Sequence, residues 1–156
     1  MTETAGKIIT ALIVDDEPEA CRNLASMLRE YVPVPINICG FANDSMAAME
    51  LIAIHNPDVL FLDINMPGKS GLQFLEDLPE RNFEVVFVTA YDEYAIKAFR
   101  LNAIDYVLKP LSITDLQDAA CRISERISGK RLLREENGHL NHVINNLKKK
   151  KNKTAW

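Results

Sequence analysis

Ile8-Ile9-Thr10-Ala11-Leu12-Ile13-Val14-Asp15-Asp16 is an almost unbroken apolar run that ends in two carboxylates. The length of the run and its β-branched residues predict a buried strand. Four further apolar runs also predict strands: Ile36–Phe41, Val59–Leu62, Val85–Val88 and Tyr106–Leu108. Short apolar strands of this kind are typical of a parallel sheet that is covered on both faces.

Segments with helical patterns separate these strands. Glu17-Pro18 opens the first helix, because proline suits a first turn and acidic groups suit the positive end of the helix dipole. Asn43 or Asp44 can cap the second helix, and Ser112 with Asp115 forms a capping box for the last. We predict helices after Glu17, over Met46–Ile54, Leu72–Leu78 and Tyr91–Leu101, and from Ile113 to at least Ile127. This alternation predicts an α/β fold, a five-stranded parallel sheet with five helices on both faces.

Polar residues follow four of the five strands. Asp15 and Asp16 follow the first strand, Asp63 the third, Thr89 the fourth and Lys109 the fifth. Open α/β sheets bind ligands outside the carboxyl ends of their strands, so these side chains should converge. Three carboxylates, a hydroxyl and an amine in one pocket fit a divalent cation and a phosphoryl group.

Each of these polar residues also has an ordinary structural alternative. Asp16 is placed to cap the first helix, and Thr89 is placed to cap the end of its strand. Lys109 is more informative, because a partly buried ammonium is costly without a partner. Asp15 and Asp63 are available as partners.

Asn65 follows Asp63 by two residues and begins a loop that contains proline and glycine. Its backbone carbonyl can complete the oxygen shell of a hard cation. Mg²⁺ takes about six oxygen ligands and usually keeps several waters. One or two carboxylates and one carbonyl are therefore sufficient, with room left for a phosphate oxygen.

The bulk composition indicates one cytoplasmic domain with a short tail. The chain has 156 residues, of which 47% are hydrophobic, and no run approaches the roughly 20 apolar residues of a membrane span. The first residues lack a signal-peptide pattern. Cys21, Cys39 and Cys121 are scattered and lack metal-binding spacing, so we expect reduced structural thiols.

The charge is distributed unevenly along the chain. Residues 1–128 hold 20 acidic and 10 basic residues, whereas residues 129–156 hold 2 acidic and 8 basic ones. The acidic part is not expected to bind nucleic acid, which requires clustered lysine and arginine. Leu133, Leu140 and Leu147 fall seven apart and permit a short coiled coil in the tail. Gly138 and the two-heptad length favour an amphipathic linker instead.

Four short motifs surround the expected pocket: Ala11-Leu12-Ile13-Val14-Asp15-Asp16-Glu17, Phe61-Leu62-Asp63-Ile64-Asn65-Met66-Pro67, Val88-Thr89-Ala90 and Tyr106-Val107-Leu108-Lys109-Pro110. In this order and spacing they resemble the receiver domain of two-component response regulators, which is CheY-like and flavodoxin-like in fold. The stretch from Thr89 to Phe99 is similar to the LytR/AlgR (LytTR) branch. The resemblance covers residues 8–128, so residues 1–128 are expected to form the receiver domain and 129–156 a basic, partly helical linker or tail.

The resemblance implies an aspartyl-phosphate site. Asp63 would be the phosphoacceptor, and a sensor histidine kinase would be the donor. Asp15, Asp16 and Asp63 would hold Mg²⁺ together with the backbone carbonyl of Asn65, with Asp16 the more direct ligand of the adjacent pair. The chain would promote its own phosphorylation and dephosphorylation without being an enzyme in the ordinary sense.

Three further roles follow from the same resemblance. Thr89 would hydrogen-bond to the phosphoryl group, and Lys109 would form an ion pair with it. Tyr106 would be the switch aromatic, which turns inward when Thr89 moves toward the phosphate. Without the resemblance, Tyr106 would be assigned to the half-buried edge of the core.

The resemblance also implies how the signal leaves the domain. We expect a homodimer through the Tyr91–Leu101 helix, the Tyr106–Leu108 strand and the Ile113–Ile127 helix. LytR/AlgR regulators usually carry a C-terminal DNA-binding domain, which this chain does not contain. It is therefore either a single-domain receiver or, as we expect, a receiver taken from a longer regulator of transcription, and it should not bind DNA specifically by itself.

Two other functions compete with this interpretation. A Mg²⁺ phosphohydrolase of the haloacid dehalogenase type also uses an aspartate nucleophile at a strand end, but it places a second aspartate two residues later as general acid and base. Asn65 occupies that position here. The other alternative is a pseudo-receiver that docks partners without being phosphorylated, and the complete set of site residues argues against it.

Overall fold

The computed structural model of the protein describes residues 8–78 and 80–135, with side chains as far as Gly129. The strands are β1 (Ile9–Val14), β2 (Ile36–Ala42), β3 (Val59–Leu62), β4 (Glu84–Thr89) and β5 (Asp105–Leu108). The helices are α1 (Pro18–Tyr31), α2 (Ser45–His55), α3 (Gly71–Glu76), α4 (Ala95–Arg100) and α5 (Ile113–Glu135). Strand and helix alternate throughout, so the predicted α/β fold is confirmed.

The strands form one parallel sheet in the order β2-β1-β3-β4-β5. The chain moves outward from β1 to β2, crosses back to β3, and continues through β4 to β5. The connections that follow β1 and β3 therefore leave in opposite directions. Such a switch point is where open α/β sheets bind their ligands.

The register of the strands brings their carboxyl ends to one edge of the sheet. Val14 pairs with Leu62 across β1 and β3, and Thr89 pairs with Leu108 across β4 and β5. The residues that follow β1, β3 and β5 consequently emerge at the same edge of the sheet, with the end of β4 between those of β3 and β5. The sheet alone thus positions most of the polar side chains that were expected to converge.

Helices cover both faces of this sheet. On one face, Leu12, Leu60 and Phe87 are completely buried in a cluster that includes residues of α2, α3 and α4. Each such side chain contributes about 1.5–3 kcal/mol through burial. The buried residues of α1 and α5 lie outside this cluster and cover the opposite face. There the Gln117 amide of α5 donates a hydrogen bond to the carbonyl of Tyr31 at 2.8 Å and ties the two helices together.

Side-chain caps begin two of the helices as the sequence predicts. Asp44, rather than Asn43, caps α2, and its carboxylate accepts a hydrogen bond from the N–H of Ala47 at 2.8 Å. Before α5, the Ser112 hydroxyl accepts from the N–H of Asp115 at 3.1 Å. Caps of this kind contribute about 1 kcal/mol each.

The predicted helix over Tyr91–Leu101 is wrong at its beginning, because α4 spans only Ala95–Arg100. The N–H of Tyr91 is directed to Oγ1 of Thr89 at 3.5 Å, and its carbonyl accepts a hydrogen bond from the Tyr106 hydroxyl. These contacts hold the segment in an extended turn. Residues 91–94 therefore form a loop beside the strand ends.

α5 begins at Ile113 as predicted and continues to Glu135, past the boundary predicted at residue 128. The chain separates into two compact units between Ser124 and Glu125, and the first unit contains the whole sheet. A coiled coil or linker is predicted in the tail, and the part of the tail beyond residue 135 lies outside the described residues. No helix in the described part of the chain is long and apolar enough to cross a membrane.

Candidate functional site

The three predicted carboxylates meet at the switch point of the sheet. One carboxylate oxygen from each of Asp15, Asp16 and Asp63 lies within 4.8 Å of the others. Backbone hydrogen bonds hold the strand ends that carry them: the N–H of Asp63 donates to the carbonyl of Val14 at 2.9 Å, and the N–H of Asp15 donates to that of Ala42 at 3.0 Å. Asp15 and Asp63 are buried, and Asp16 is half-buried.

Lys109 reaches this carboxylate cluster from the end of β5. Its Nζ lies 2.8 Å from Oδ2 of Asp15 and 3.3 Å from Oδ2 of Asp63. The N–H of Lys109 donates to the carbonyl of Thr89 at 2.8 Å, which fixes the base of the side chain, and the Lys109-Pro110 peptide bond is cis. The partners considered for this lysine are thus the ones it contacts.

The site raises the pKa of both Asp63 and Lys109. Burial holds the pKa of Asp63 above its ordinary value, and the charge of Asp15 adds to this. Lys109 and hydrogen bonds from Thr89 and Asn65 only partly oppose the shift. Burial alone would lower the pKa of Lys109, but its hydrogen bond to Asp15 and the charges of both aspartates raise it overall. Lys109 therefore stays an ammonium, whereas burial disfavours the ionised form of Asp63.

The backbone of Asp15 is held by residues that the sequence did not identify as part of the site. Asn43 is one of the two residues predicted to cap α2, but its amide donates a hydrogen bond to the Asp15 carbonyl at 2.8 Å. The Cys21 thiol also lies against that carbonyl at 3.6 Å. Burial and the charge of Asp15 raise the pKa of Cys21 to about 11, so this thiol stays protonated. No pattern in the sequence places the β2–α2 loop against the end of β1.

The alternative role of Asp16 as a helix cap does not fit the structure. The N-cap of α1 is Glu17, and its side chain makes no capping hydrogen bond. Its N–H is instead accepted by Oδ1 of Asp15 at 3.0 Å. The Asp16 carboxylate is therefore not used by the helix and lies with those of Asp15 and Asp63.

The carboxylate cluster suits a hard divalent cation. Three carboxylates face one lysine ammonium, which leaves an excess of negative charge at a buried position. Carboxylate oxygens are the ligands that Mg²⁺ prefers. Asp15, Asp16 and Asp63 fit such an ion, and the Asn65 carbonyl stays a predicted ligand. The Asn65 contacts that the structure shows are made by its N–H, which donates to Oδ1 of Asp63 at 3.4 Å, and by its side chain.

Thr89 and Tyr106 lie on the neighbouring strands β4 and β5. Thr89 is completely buried at the end of β4. Tyr106 packs its ring against Phe87, with centroids 6.2 Å apart, and its hydroxyl donates to the carbonyl of Tyr91. The roles of both residues in a switch stay predictions.

Gly71 is a further site residue that sequence reasoning missed. A Cβ atom at this position would lie 2.1 Å from the backbone oxygen of Asp63. The N–H of Gly71 also donates to the carbonyl of Ile64 at 2.8 Å. Glycine in the loop after Asp63 predicts a turn, but the contact with the Asp63 backbone depends on how α3 docks against β3.

Comparison with known proteins agrees with this geometry. The family model described as response regulator receiver domain matches residues 11–121. Among curated proteins, an uncharacterised response regulatory protein of Vibrio parahaemolyticus is 42% identical over 129 residues, which is 82% of this chain and 52% of the relative. The transcriptional regulatory protein BtsR of Escherichia coli is 43% identical over 122 residues, 78% of this chain and 50% of the relative. The chain thus spans about half the length of these curated relatives.

Solved structures show the same arrangement of strands and helices. The REC domain of AraT, a response regulator from Geobacillus stearothermophilus, aligns with a TM-score of 0.67 and 30% identity over 80% of this chain and 99% of that one. The response regulatory domain of MrkE from Klebsiella pneumoniae aligns with a TM-score of 0.68 and 27% identity over 76% and 97%. Both alignments cover nearly the whole of a receiver domain.

Proposed function

The chain belongs to the response regulator receiver domain family, and we propose that it accepts a phosphoryl group on Asp63 from a sensor histidine kinase in the cytoplasm. The observation that carries this proposal is the Asp63 carboxylate, which lies at the sheet's switch point with Lys109 at 3.3 Å and two further aspartates around it. A carboxylate that can accept a phosphoryl group and a cation that can neutralise it are thus already in contact.

The chemistry requires positioning more than covalent assistance. An oxygen of the Asp63 carboxylate forms a bond to phosphorus while the P–N bond of the donor's phosphohistidine breaks, and the released imidazole nitrogen takes up a proton. The transition state is loose and places charge on the equatorial phosphoryl oxygens. Lys109 stays protonated and lies beside Asp63, so it can compensate that charge. A Mg²⁺ ion held by Asp15, Asp16 and Asp63 would supply further positive charge, with the Asn65 carbonyl as an additional ligand.

The response to phosphorylation is proposed to pass through Thr89 and Tyr106. A phosphoryl group adds about −1.5 to −2 charge and three strong acceptor oxygens. The Thr89 side chain acts to lower the pKa of Asp63, as a hydrogen-bond donor to its carboxylate does, and it would donate to the phosphoryl group instead. Movement of Thr89 would change the space available to Tyr106, whose hydroxyl is bound to the loop at Tyr91. A local charge would thereby bias a two-state element.

Phosphorylation can be tested with a small-molecule donor. We expect the chain, incubated with acetyl phosphate and MgCl₂, to gain the mass of one phosphoryl group, and we expect a chelator to prevent this. Asp63→Asn should abolish the adduct, whereas Asp77→Asn should leave it unchanged. Asp77 is an exposed carboxylate paired with Lys69 at 2.6 Å and serves as the matched control.

The same experiment separates the two competing functions. Continuous release of phosphate from acetyl phosphate, with little adduct, would indicate a phosphohydrolase. Absence of both adduct and turnover would indicate a docking module, and an adduct that survives Asp63→Asn would show that another residue is the phosphoacceptor. Asn65 stands where a dehalogenase-type hydrolase needs its general acid and base, which favours a stable adduct over turnover.

We further propose a homodimer as the form that transmits the signal. Apolar side chains are exposed on α4, at the end of β5 and at the start of α5: Ile96, Phe99, Leu108 and Ile113. Ile96 and Phe99 are 69% and 58% exposed, which is high for residues of their size. Sedimentation of the chain with and without acetyl phosphate should show a shift toward dimer, and Ile96→Lys should reduce it.

The output of the signal is proposed to be transcription, through a DNA-binding domain of the LytTR type in a longer protein. The support is the likeness of the Thr89–Phe99 stretch to that branch and the printed name of BtsR as a transcriptional regulatory protein. The acidic part of this chain offers no clustered lysine or arginine for phosphate contacts. Specific binding of this chain to DNA at physiological salt would contradict the proposal.

A further inference from the structure

Tyr91 is in contact with three parts of the site at once. Its N–H is directed to Oγ1 of Thr89 at 3.5 Å, and its carbonyl accepts the hydroxyl hydrogen of Tyr106. Its own hydroxyl accepts a hydrogen bond from the Asn65 side-chain amide at 3.4 Å. The loop after Asp63, the end of β4 and the ring of Tyr106 therefore all meet at one residue.

The side chain of Tyr91 reaches across an open cleft to make the contact with Asn65. The cleft has a volume of about 290 Å³, and Asn65 and Tyr91 are both among its lining residues. The Tyr91 ring is 41% exposed and meets the ring of Tyr94 edge-on, with centroids 6.4 Å apart. Since the ring is not buried in the core, its hydroxyl contact is the one polar restraint on it that the described residues provide.

We propose that Tyr91 is a positioning residue through which the Asn65 side chain holds the 91–94 loop and thereby the hydroxyl of Tyr106. This inference rests on the proposed function, in which Tyr106 responds to the state of Asp63. It adds a second connection to Tyr106, which runs from the loop that follows Asp63 and is separate from the one through Thr89. The link uses the side chain of Tyr91 at one end and its backbone carbonyl at the other.

The structure of the loop explains why a side-chain contact can matter here. α4 begins only at Ala95, so residues 91–94 are not fixed by helical hydrogen bonds at their beginning. The carbonyl of Tyr91 must stay in place for Tyr106 to keep its hydrogen bond. An exposed hydrogen bond of this kind has a modest effect, and we expect its loss to change the ratio of bound to released Tyr106 by about threefold to tenfold.

The test uses the full chain labelled with 3-fluorotyrosine, unphosphorylated and without metal. The chain has four tyrosines, so Tyr→Phe variants assign each ¹⁹F resonance, including that of Tyr106. We expect Tyr91→Phe to shift or broaden the Tyr106 resonance. Asn65→Ala should have the same effect, although the Asn65 side chain makes no described contact with Tyr106. The double variant should add little to either single change, because both remove one and the same bond.

Tyr94→Phe is the matched control for this experiment. Tyr94 is 37% exposed, its ring contacts Tyr91, and its backbone and phenol lie close enough to the Tyr106 hydroxyl to influence the pKa of Tyr106, but the Tyr94 hydroxyl makes no hydrogen bond within the described residues. The inference is overturned if Asn65→Ala leaves the Tyr106 resonance unchanged, or if Tyr94→Phe changes that resonance as strongly as Tyr91→Phe does. It is also overturned if the effects of the Asn65 and Tyr91 substitutions on the resonance are additive. Failure of the proposed function would be seen separately, as wild-type protein that forms no adduct with acetyl phosphate.

Discussion

Gly71→Ala is expected to damage the site and the stability of the domain together. The new Cβ would lie 2.1 Å from the backbone oxygen of Asp63 and 3.1 Å from Cα of Ile64. A carbon and an oxygen without covalent connection approach to about 3.3 Å, so one of the two backbones must move by roughly 1 Å. Neither neighbour is the end of a flexible side chain, and the strain cannot be relieved by a change of rotamer.

The size of the effect follows from two losses. Overpacking against rigid structure costs about 1–3 kcal/mol, and the 2.8 Å hydrogen bond from Gly71 to Ile64 is worth about 1 kcal/mol. Together they predict a loss of roughly 2–4 kcal/mol, or about 6–12 °C in Tm for a domain of this size. A shift of about 1 Å in Asp63 should also slow phosphorylation by about 100-fold.

Thermal unfolding followed by circular dichroism, and the rate of adduct formation with acetyl phosphate and MgCl₂, measure the two effects. Gly40→Ala is the matched control, because its Cβ would meet only side-chain methyl groups, the nearest being those of Leu51 at 3.3 Å and Leu12 at 3.5 Å, and no backbone atom. Gly129→Ala, where nothing lies within 4 Å, should be neutral or stabilising. A Gly71→Ala protein with the Tm and phosphorylation rate of the wild type would refute the argument from close approach.

Three further predictions concern single contacts. Asp63→Asn should raise Tm in the presence of a chelator. Burial raises the pKa of Asp63, so the folded state binds the carboxyl proton more tightly than the unfolded state does, and ionisation of Asp63 lowers the free energy of unfolding at neutral pH. In the wild type this loss of stability should fade as the pH falls through the raised pKa. Arg81→Met should lower the free energy of unfolding by about 1–2 kcal/mol and speed amide hydrogen exchange at the end of α4. The reason is that the Arg81 guanidinium donates hydrogen bonds to the carbonyls of Leu101 at 2.8 Å and Asn102 at 3.3 Å. Amide exchange unchanged from the wild type would contradict this prediction. Asp44→Ala should lower the free energy of unfolding by about 1 kcal/mol in urea titrations through loss of the α2 cap, and an unaltered midpoint would show that the cap is not stabilising.

The sequence predicts the fold and the principal carboxylates for the same physical reason. Buried parallel strands must be apolar throughout, so a polar residue such as Asp63 marks the point where a strand leaves the core. Topology then brings those points together, so the sequence predicts Asp15 and Asp63 as the partners of Lys109, and the structure places its Nζ 2.8 Å and 3.3 Å from them. The helical pattern that begins at Tyr91 predicts a longer α4 than the structure has, because the backbone N–H of Tyr91 is directed to Thr89 instead.

Contacts made by loops are the part that the sequence could not supply. The amide of Asn43 on the carbonyl of Asp15 joins loops that follow different strands, whereas the close approach of Gly71 to Asp63 closes the single loop between β3 and α3. Neither contact has a characteristic spacing, because each depends on how a helix docks rather than on a periodic pattern. Such contacts hold backbone atoms in place, whereas the motifs identify only the side chains that are proposed to perform the chemistry.

The electrostatics of the unphosphorylated site show why these backbone contacts are needed. Three carboxylates within 4.8 Å of one another repel. Burial raises the pKa of Asp63, which means that its ionised carboxylate is less stable in the folded protein than in water. One ammonium, from Lys109, cannot neutralise three anions. Hydrogen bonds at the strand ends, from Asn43 to Asp15 and from Asp63 to Val14, therefore keep the carboxylates where a cation and a phosphoryl group can use them. Weakening the bond from Asn43 to Asp15 should therefore lower the affinity for the proposed Mg²⁺ ion.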